Sequence, residues 1–200
     1  MKQQASLLFF RTLVLSGILA FASHGSDVSA LEIKGATVPS QISCGESSLV
    51  LNGTAVRSHW GFNVYVCALY LAEKSNSDAQ IMTEDTNGKR VHISMLRGVS
   101  KEKFESTIRG NIDTNFSAEE KKVFAIELEA FLDAFGGGKD LAKGSVVNID
   151  YIPEQGMSIS VDDTVLDVIP GKEFYHAILR LWIGSPPQQS IKTGLLGQAG

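Results

Sequence analysis

Cysteine is scarce in this sequence, two among 200 residues, too few for a disulfide-stapled scaffold or a four-cysteine zinc site. Proline is scarce too, five in all, and nineteen glycines without a repeat exclude collagen-like and proline-rich material. A basic surplus is missing: the net charge of −4 argues against a nucleic-acid partner held by counterion release. There is no nucleophile elbow G-x-S-x-G. Gly136-Gly137-Gly138-Lys139 lacks the spaced first glycine of a phosphate loop and the Ser or Thr after lysine, so it reads as the stop of a helix. What is present is ordinary for one globular domain: 44% hydrophobic and 20% charged residues.

The N-terminus reads as a leader. Lys2 and Arg11 flank the apolar run of residues 12–22 (TLVLSGILAFA), which is shorter than the roughly 20 residues a bilayer span takes and suits a signal-peptide core. Val28-Ser29-Ala30 supplies small residues for cleavage after Ala30, with Ala20-Phe21-Ala22 as an earlier alternative. The expectation is a signal peptide over residues 1–30, one domain over 31–200, and a periplasmic or secreted protein with no transmembrane segment after cleavage. In an oxidising compartment Cys44 and Cys67 either pair or stay as buried thiols, and the sequence favours neither.

Strands come first and last. Residues 49–59 (LVLNGTAVRSH) and 62–72 (FNVYVCALYLA) are rich in β-branched, aromatic and aliphatic side chains, and only Trp60-Gly61 separates them, which predicts a tight hairpin. A third strand covers 89–96 after the Asn87-Gly88 turn signal. Ser100 opens a helix to about Asn111. Ser117, with Glu120 three residues on, forms a capping box for a second, whose Phe124, Leu128, Phe131 and Phe135 share one face. A hairpin over 145–161, a short strand over 165–169 and a last helix over 173–183 follow. This order predicts an α+β fold, an antiparallel sheet with helices against one face.

Few residues invite chemistry. His59, His92 and His176 lack the spacing of metal ligands, so no metal or other cofactor is expected; Asp162-Asp163 reads as a turn. Arg57 stands out. Alternation along an extended strand puts it on a face with Leu49, Leu51 and Ala55, where a guanidinium is expensive to bury unless an anion answers it. With Gly61 at the hairpin centre, Tyr65 lies opposite Arg57. An arginine and a phenol on one face fork a carboxylate well.

The stretch LNGTAVRSHWGFNVYVCALYL, residues 51–71, resembles the first hairpin of the chalcone isomerase-like family. Phe104-Glu105-Ser106-Thr107-Ile108-Arg109-Gly110 resembles the family's F-E-x-x-I-R-G helix. Lys143-Gly144-Ser145-Val146 is similar to its G-x-x-V strand pair, and FYHAILRLWIGSPPQQSIKTGLL, residues 174–196, to its last helix. In this order the motifs cover nearly all of the chain beyond the leader and resemble the bacterial exported branch. The resemblance implies an open-faced β-sandwich, a large antiparallel sheet covered by a helical layer with a cleft between them. It also implies one of two activities: closure of a chalcone by intramolecular addition, or capture of a fatty-acid carboxylate by an arginine and a tyrosine. Arg57 falls on the family arginine. Tyr65 and Leu181 fall where the enzymes carry threonines, so the groups that orient a chalcone ketone are missing.

The favoured expectation is therefore a non-catalytic carrier of a fatty acid or similar amphipathic anion, binding through Arg57 and Tyr65 in a cleft lined by Phe124, Leu128 and Phe131. One alternative is an isomerase, an intramolecular lyase for an enone, with Arg57 as electrophile and Tyr65 as proton donor. The other is a ligand-free structural or partner-binding protein, favoured if Arg57 is salt-bridged and the cleft is filled by side chains.

Overall fold

The computed structural model describes residues 29–136 and 139–198. The leader read at the N-terminus, apart from Ser29 and Ala30, lies outside these residues, as do Gly137 and Gly138. Two short strands, β1 (Ala30–Ile33) and β2 (Ala36–Pro39), form a separate hairpin. The main sheet has seven antiparallel strands in chain order: β3 (Gln41–Cys44), β4 (Ser47–His59), β5 (Phe62–Leu71), β6 (Lys89–Met95), β7 (Val146–Ile152), β8 (Gly156–Val161) and β9 (Thr164–Ile169). Helix α1 (Asp78–Thr83) lies between β5 and β6. Then α2 (Lys101–Asn115), α3 (Ala118–Val123) and α4 (Ala125–Gly136) precede β7, and α5 (Lys172–Ile183) and α6 (Gln189–Leu195) close the chain.

The helices lie on one face of the sheet. Cys67, Leu69, Val91, Ile93, Ile149 and Ile159 from the strands share a core with Ile108, Phe131, Phe174 and Ile178 from the helices. The other face carries a smaller cluster, Val66, Ala68 and Tyr70 under Ala36 and Val38 of the β1–β2 hairpin. Both caps expected from sequence form: Ser100 Oγ accepts from Lys103 N at 3.3 Å, and Ser117 and Glu120 bond reciprocally at 3.1 and 2.8 Å. The helix expected to run on from Ser117 is broken at Phe124 (φ −99°, ψ 25°) into α3 and α4. Strands β1 to β3 and helices α1 and α6 are absent from the sequence reading, being four to seven residues long and too short for a periodic signal.

One expectation is corrected. Arg57 does not share a face with Leu49 and Leu51. Leu51 pairs with Tyr70 but Gly53 pairs with Leu69, so Asn52 is an extra residue in β4, and strict alternation fails across the bulge. Leu49 and Leu51 pack with the outer cluster, whereas Ala55 packs with the helix-side core and Arg57 follows it two residues on. Asn52 is itself buried. Its amide nitrogen donates to the carbonyls of Ser75 and Leu195 at 2.9 and 2.7 Å, and its oxygen accepts from Ser75 N at 2.8 Å.

The open question of the thiols resolves against a disulfide. Cys44 and Cys67 are both free and buried, in clusters on opposite faces of the sheet, and burial raises each thiol pKa to about 12.

At the bulge a Cβ on Gly53 would come within 2.2 Å of the Gly194 carbonyl and 2.6 Å of that of Leu195. Both obstacles are backbone, so α6 must lift off the sheet to admit a methyl group. Gly53→Ala is expected to lower stability by about 2 kcal/mol or more, read as the urea midpoint; a midpoint equal to wild type would show that α6 is not seated on β4.

Candidate functional site

Trp60 (φ 52°) and Gly61 (φ 79°) make the two-residue turn between β4 and β5, pairing His59 with Phe62 and Ser58 with Asn63. A second bulge follows: Val64 is an extra residue in β5, so Arg57 stands opposite Tyr65, as the sequence predicts. A hairpin without it would have placed Val64 opposite Arg57. Tyr65 neighbours Met95 on its other side and packs against the helix-side core.

Two residues from the C-terminal segment complete this corner. Gln188 is the N-cap of α6; its Oε1 accepts from Ser58 N at 3.0 Å and from Arg57 Nη1 at 3.3 Å, and its Nε2 donates to the Val56 carbonyl at 3.3 Å. Arg57 Nη1 also donates to the Ser58 carbonyl. Among the described residues no carboxylate pairs with Arg57. Both of its hydrogen bonds leave from Nη1, and the Nε–Nη2 edge is the pair of donors a carboxylate fork takes.

Burial pushes the Tyr65 phenol well above its ordinary pKa, with the Arg57 charge and a hydrogen bond to the buried Trp182 side chain opposing that rise. At neutral pH Tyr65 is therefore a neutral O–H donor and a weak acid. The corner offers a cation and a neutral donor on one face, which suits holding an anion better than protonating an enone. Leu181 is buried, and its aliphatic side chain supplies no hydrogen bond.

The residues expected to line a cleft are packed. Phe131 is fully buried and Leu128 nearly so; Phe131 meets Phe174 at 6.2 Å and Phe135 at 5.4 Å, and Phe124 meets Phe174 at 5.6 Å. Two cavities are described elsewhere, one of about 110 Å³ beside Leu71, Glu84 and Lys89, the other a groove of about 530 Å³ between α2 and α4 over Ile112, Leu128 and Leu132. Neither is lined by Arg57 or Tyr65. Of the two signs named for a ligand-free protein, filling is present between sheet and helices, and a salt bridge to Arg57 is absent among the described residues.

The outer face of the sheet holds a polar chain that the sequence reading missed. Arg90 binds Asp150 through two hydrogen bonds of 2.6 Å. His92 Nδ1 lies 2.8 Å from Asn148 Oδ1, and its Nε2 lies 2.9 Å from Ser94 Oγ. The order Ser–His–Asn is that of a nucleophile relay. However, Ser94 is paired on both sides, with Val66 and Val146, and is buried, so the ladder commits the amides that an oxyanion would need. The alternation of Arg90, His92 and Ser94 in KRVHISM was readable; their partners on β7 depended on register. Lys89, on the helix side, is buried against the Tyr151 ring at 5.0 Å and beside Glu84 and His176 at 3.4 Å each. Among the described residues no group of three or more His, Cys, Asp and Glu is placed to hold a metal.

Burial lowers the pKa of His92, with the Arg90 charge adding to it and the Asn148 hydrogen bond opposing. It also lowers that of His176, helped by Lys89. The unfolded chain then binds more protons than the folded one just below the ordinary histidine pKa of about 6.5, so stability falls as pH drops through that range. Urea midpoints are expected to decline from pH 7 to pH 5, and to decline less in His92→Gln; an equal decline in that variant would remove His92 as a cause.

The comparisons with known proteins agree on the fold. The family description chalcone isomerase-like matches residues 30–197. A crystal structure of a fatty-acid binding protein of Arabidopsis thaliana superposes with a TM-score of 0.60 at 15% sequence identity, over 84% of this chain and 96% of that one. No curated protein matches.

Proposed function

The chain belongs to the chalcone isomerase-like family, and from that premise we propose that it is an exported, non-catalytic carrier of a fatty acid or similar amphipathic anion. Its anchor is the Arg57–Tyr65 pair. The observation that carries the reading is an arginine on the helix-facing side of the sheet, paired across the strands with a neutral phenol and left without a carboxylate partner among the described residues. The fold shared with the plant fatty-acid binding protein supports a lipid as the class of ligand. Export rests on the basic and apolar pattern of the leader and the small residues ending at Ala30.

In this reading the carboxylate takes the Nε–Nη2 edge of the guanidinium while Nη1 keeps the Ser58 carbonyl and the Gln188 amide, and Tyr65 donates a further hydrogen bond. The tail enters between β4–β5 and the helices, where Met95 and Trp182 now pack. Binding is thus coupled to movement of the segment joining α5 and α6, because Gln188 ties that segment to β4.

Titration of the chain with palmitate, followed by calorimetry and native mass spectrometry, is the test. Arg57→Ala is expected to weaken binding about 10- to 100-fold, as for loss of a charge-assisted pair. Tyr65→Phe should lose less, since it keeps the cation. Thermal stability of Arg57→Ala should stay close to wild type. A wild-type chain that takes up neither palmitate nor shorter fatty acids would end the carrier reading.

A further inference from the structure

The tip of the β4–β5 hairpin places two aromatic side chains in water. Trp60 is 86% exposed and Phe62 63% exposed, although the chain has only two tryptophans and the other, Trp182, is buried. Trp60 also occupies a left-handed turn position, φ 52°, where asparagine or aspartate sits more easily and a bulky side chain is strained. Among the described residues the aromatic ring that meets Trp60 is its neighbour His59, edge-on at 6.0 Å.

Arg97 stacks over the Phe62 ring at 5.3 Å. Residues 96–100 run beside β5, held by Leu96 N donating to the Val64 carbonyl at 2.9 Å, and the Val99–Leu141 bridge joins them to residues 139–144. His59, Arg97, Lys139 and Lys143 are exposed there. The exposed carboxylate between them, Asp140, is engaged by Lys101 N at 3.1 Å. Asp162 and Asp163 are exposed at the same end of the sheet, so the cation established at the aromatics themselves is Arg97.

We propose that this hairpin tip docks onto anionic lipid bilayers, Trp60 and Phe62 entering the headgroup region while Arg97 meets the lipid charge. Amphipathic aromatic rings settle at that depth, and each nearby lysine or arginine adds to the attraction. A protein partner fits less well, because a two-residue turn is a convex point without the broad surface that a stable interface buries. Arg57 lies three residues before Trp60, roughly 10 Å along an extended strand, so docking would bring the Arg57–Tyr65 corner close to the membrane. The inference does not rest on that corner: a bilayer can be bound with no fatty acid taken up.

The test is sedimentation of the full chain with vesicles of phosphatidylglycerol and phosphatidylethanolamine, beside phosphatidylcholine vesicles, with tryptophan emission followed in parallel. The Trp60 contribution is the difference between wild type and Trp60→Asn. It should shift to the blue on the anionic vesicles, less on phosphatidylcholine, and return toward the solvent-exposed wavelength as sodium chloride is raised. Trp60→Asn should partition about tenfold more weakly while its Tm stays equal or rises, which separates docking from a structural role. A Trp60 emission unmoved by vesicles would overturn the proposal and leave the tip to a protein partner. Equal partition of Trp60→Asn would also overturn it, assigning any membrane binding to another part of the chain.

Discussion

The bulge at Asn52 governs this molecule. One extra residue in β4 transfers the second half of that strand to the other face of the sheet, so Ala55 and Arg57 look toward the helices while Leu49 and Leu51 look away. The same place receives α6. Gly53 and Gly194 let two backbones approach more closely than any side chain allows, and Asn52 supplies hydrogen bonds to Leu195 and to the loop after β5. Seating α6 there carries its cap Gln188 to the backbone of Val56 and Ser58. An inserted residue, two glycines and one buried amide thus bring the chain's last helix to the strand that bears the arginine.

A second bulge, at Val64, completes the arrangement. It compensates for the two-residue turn and restores Arg57 and Tyr65 to opposite positions. The corner then has a cation whose neighbours are a carbonyl and an amide rather than a carboxylate, and a phenol that burial keeps protonated. Such a pair recognises an anion strongly and transfers a proton poorly. This is the physical ground for preferring carriage to isomerisation.

Packing between sheet and helices gives the corner its dynamic character. Phe131 and Phe174 fill the layer, so an acyl chain has to part side chains rather than drop into an open slot. The contacts that would loosen lie in the short segment between α5 and α6, held to β4 by one glutamine. The same segment is tied to α2, where Asn115 Nδ2 donates to the Ser185 carbonyl at 3.0 Å and Asn115 Oδ1 accepts from Ser185 N at 2.9 Å, so entry there has to loosen both sets of contacts. Entry there would disturb neither the Arg90–Asp150 pair nor the His92 chain, which lie on the opposite face.

Much of the fold is legible in the chain itself. The hairpin over residues 49–72, the caps at Ser100 and Ser117, the turns at Trp60-Gly61 and Asp162-Asp163 and the helix over 173–183 are local, and local steric and hydrogen-bond preferences decide them. Opposition of Arg57 and Tyr65 was expected with Gly61 as the hairpin centre, whereas the two-residue Trp60-Gly61 turn and the bulge at Val64 together produce it. The helix-facing side of Arg57 was not legible: it depends on the bulge at Asn52, where α6 packs on Gly53. The same holds for Gln188, for Trp182 and for the Asn148 and Asp150 partners of β7, all distant in sequence and brought together by packing. Sequence alone determined the longer strands and helices and the turns and caps that bound them, because those are short-range effects. Tertiary structure decided which face each residue serves and what lies against it, because a one-residue shift in a strand reverses its faces and only contact with another element selects that shift.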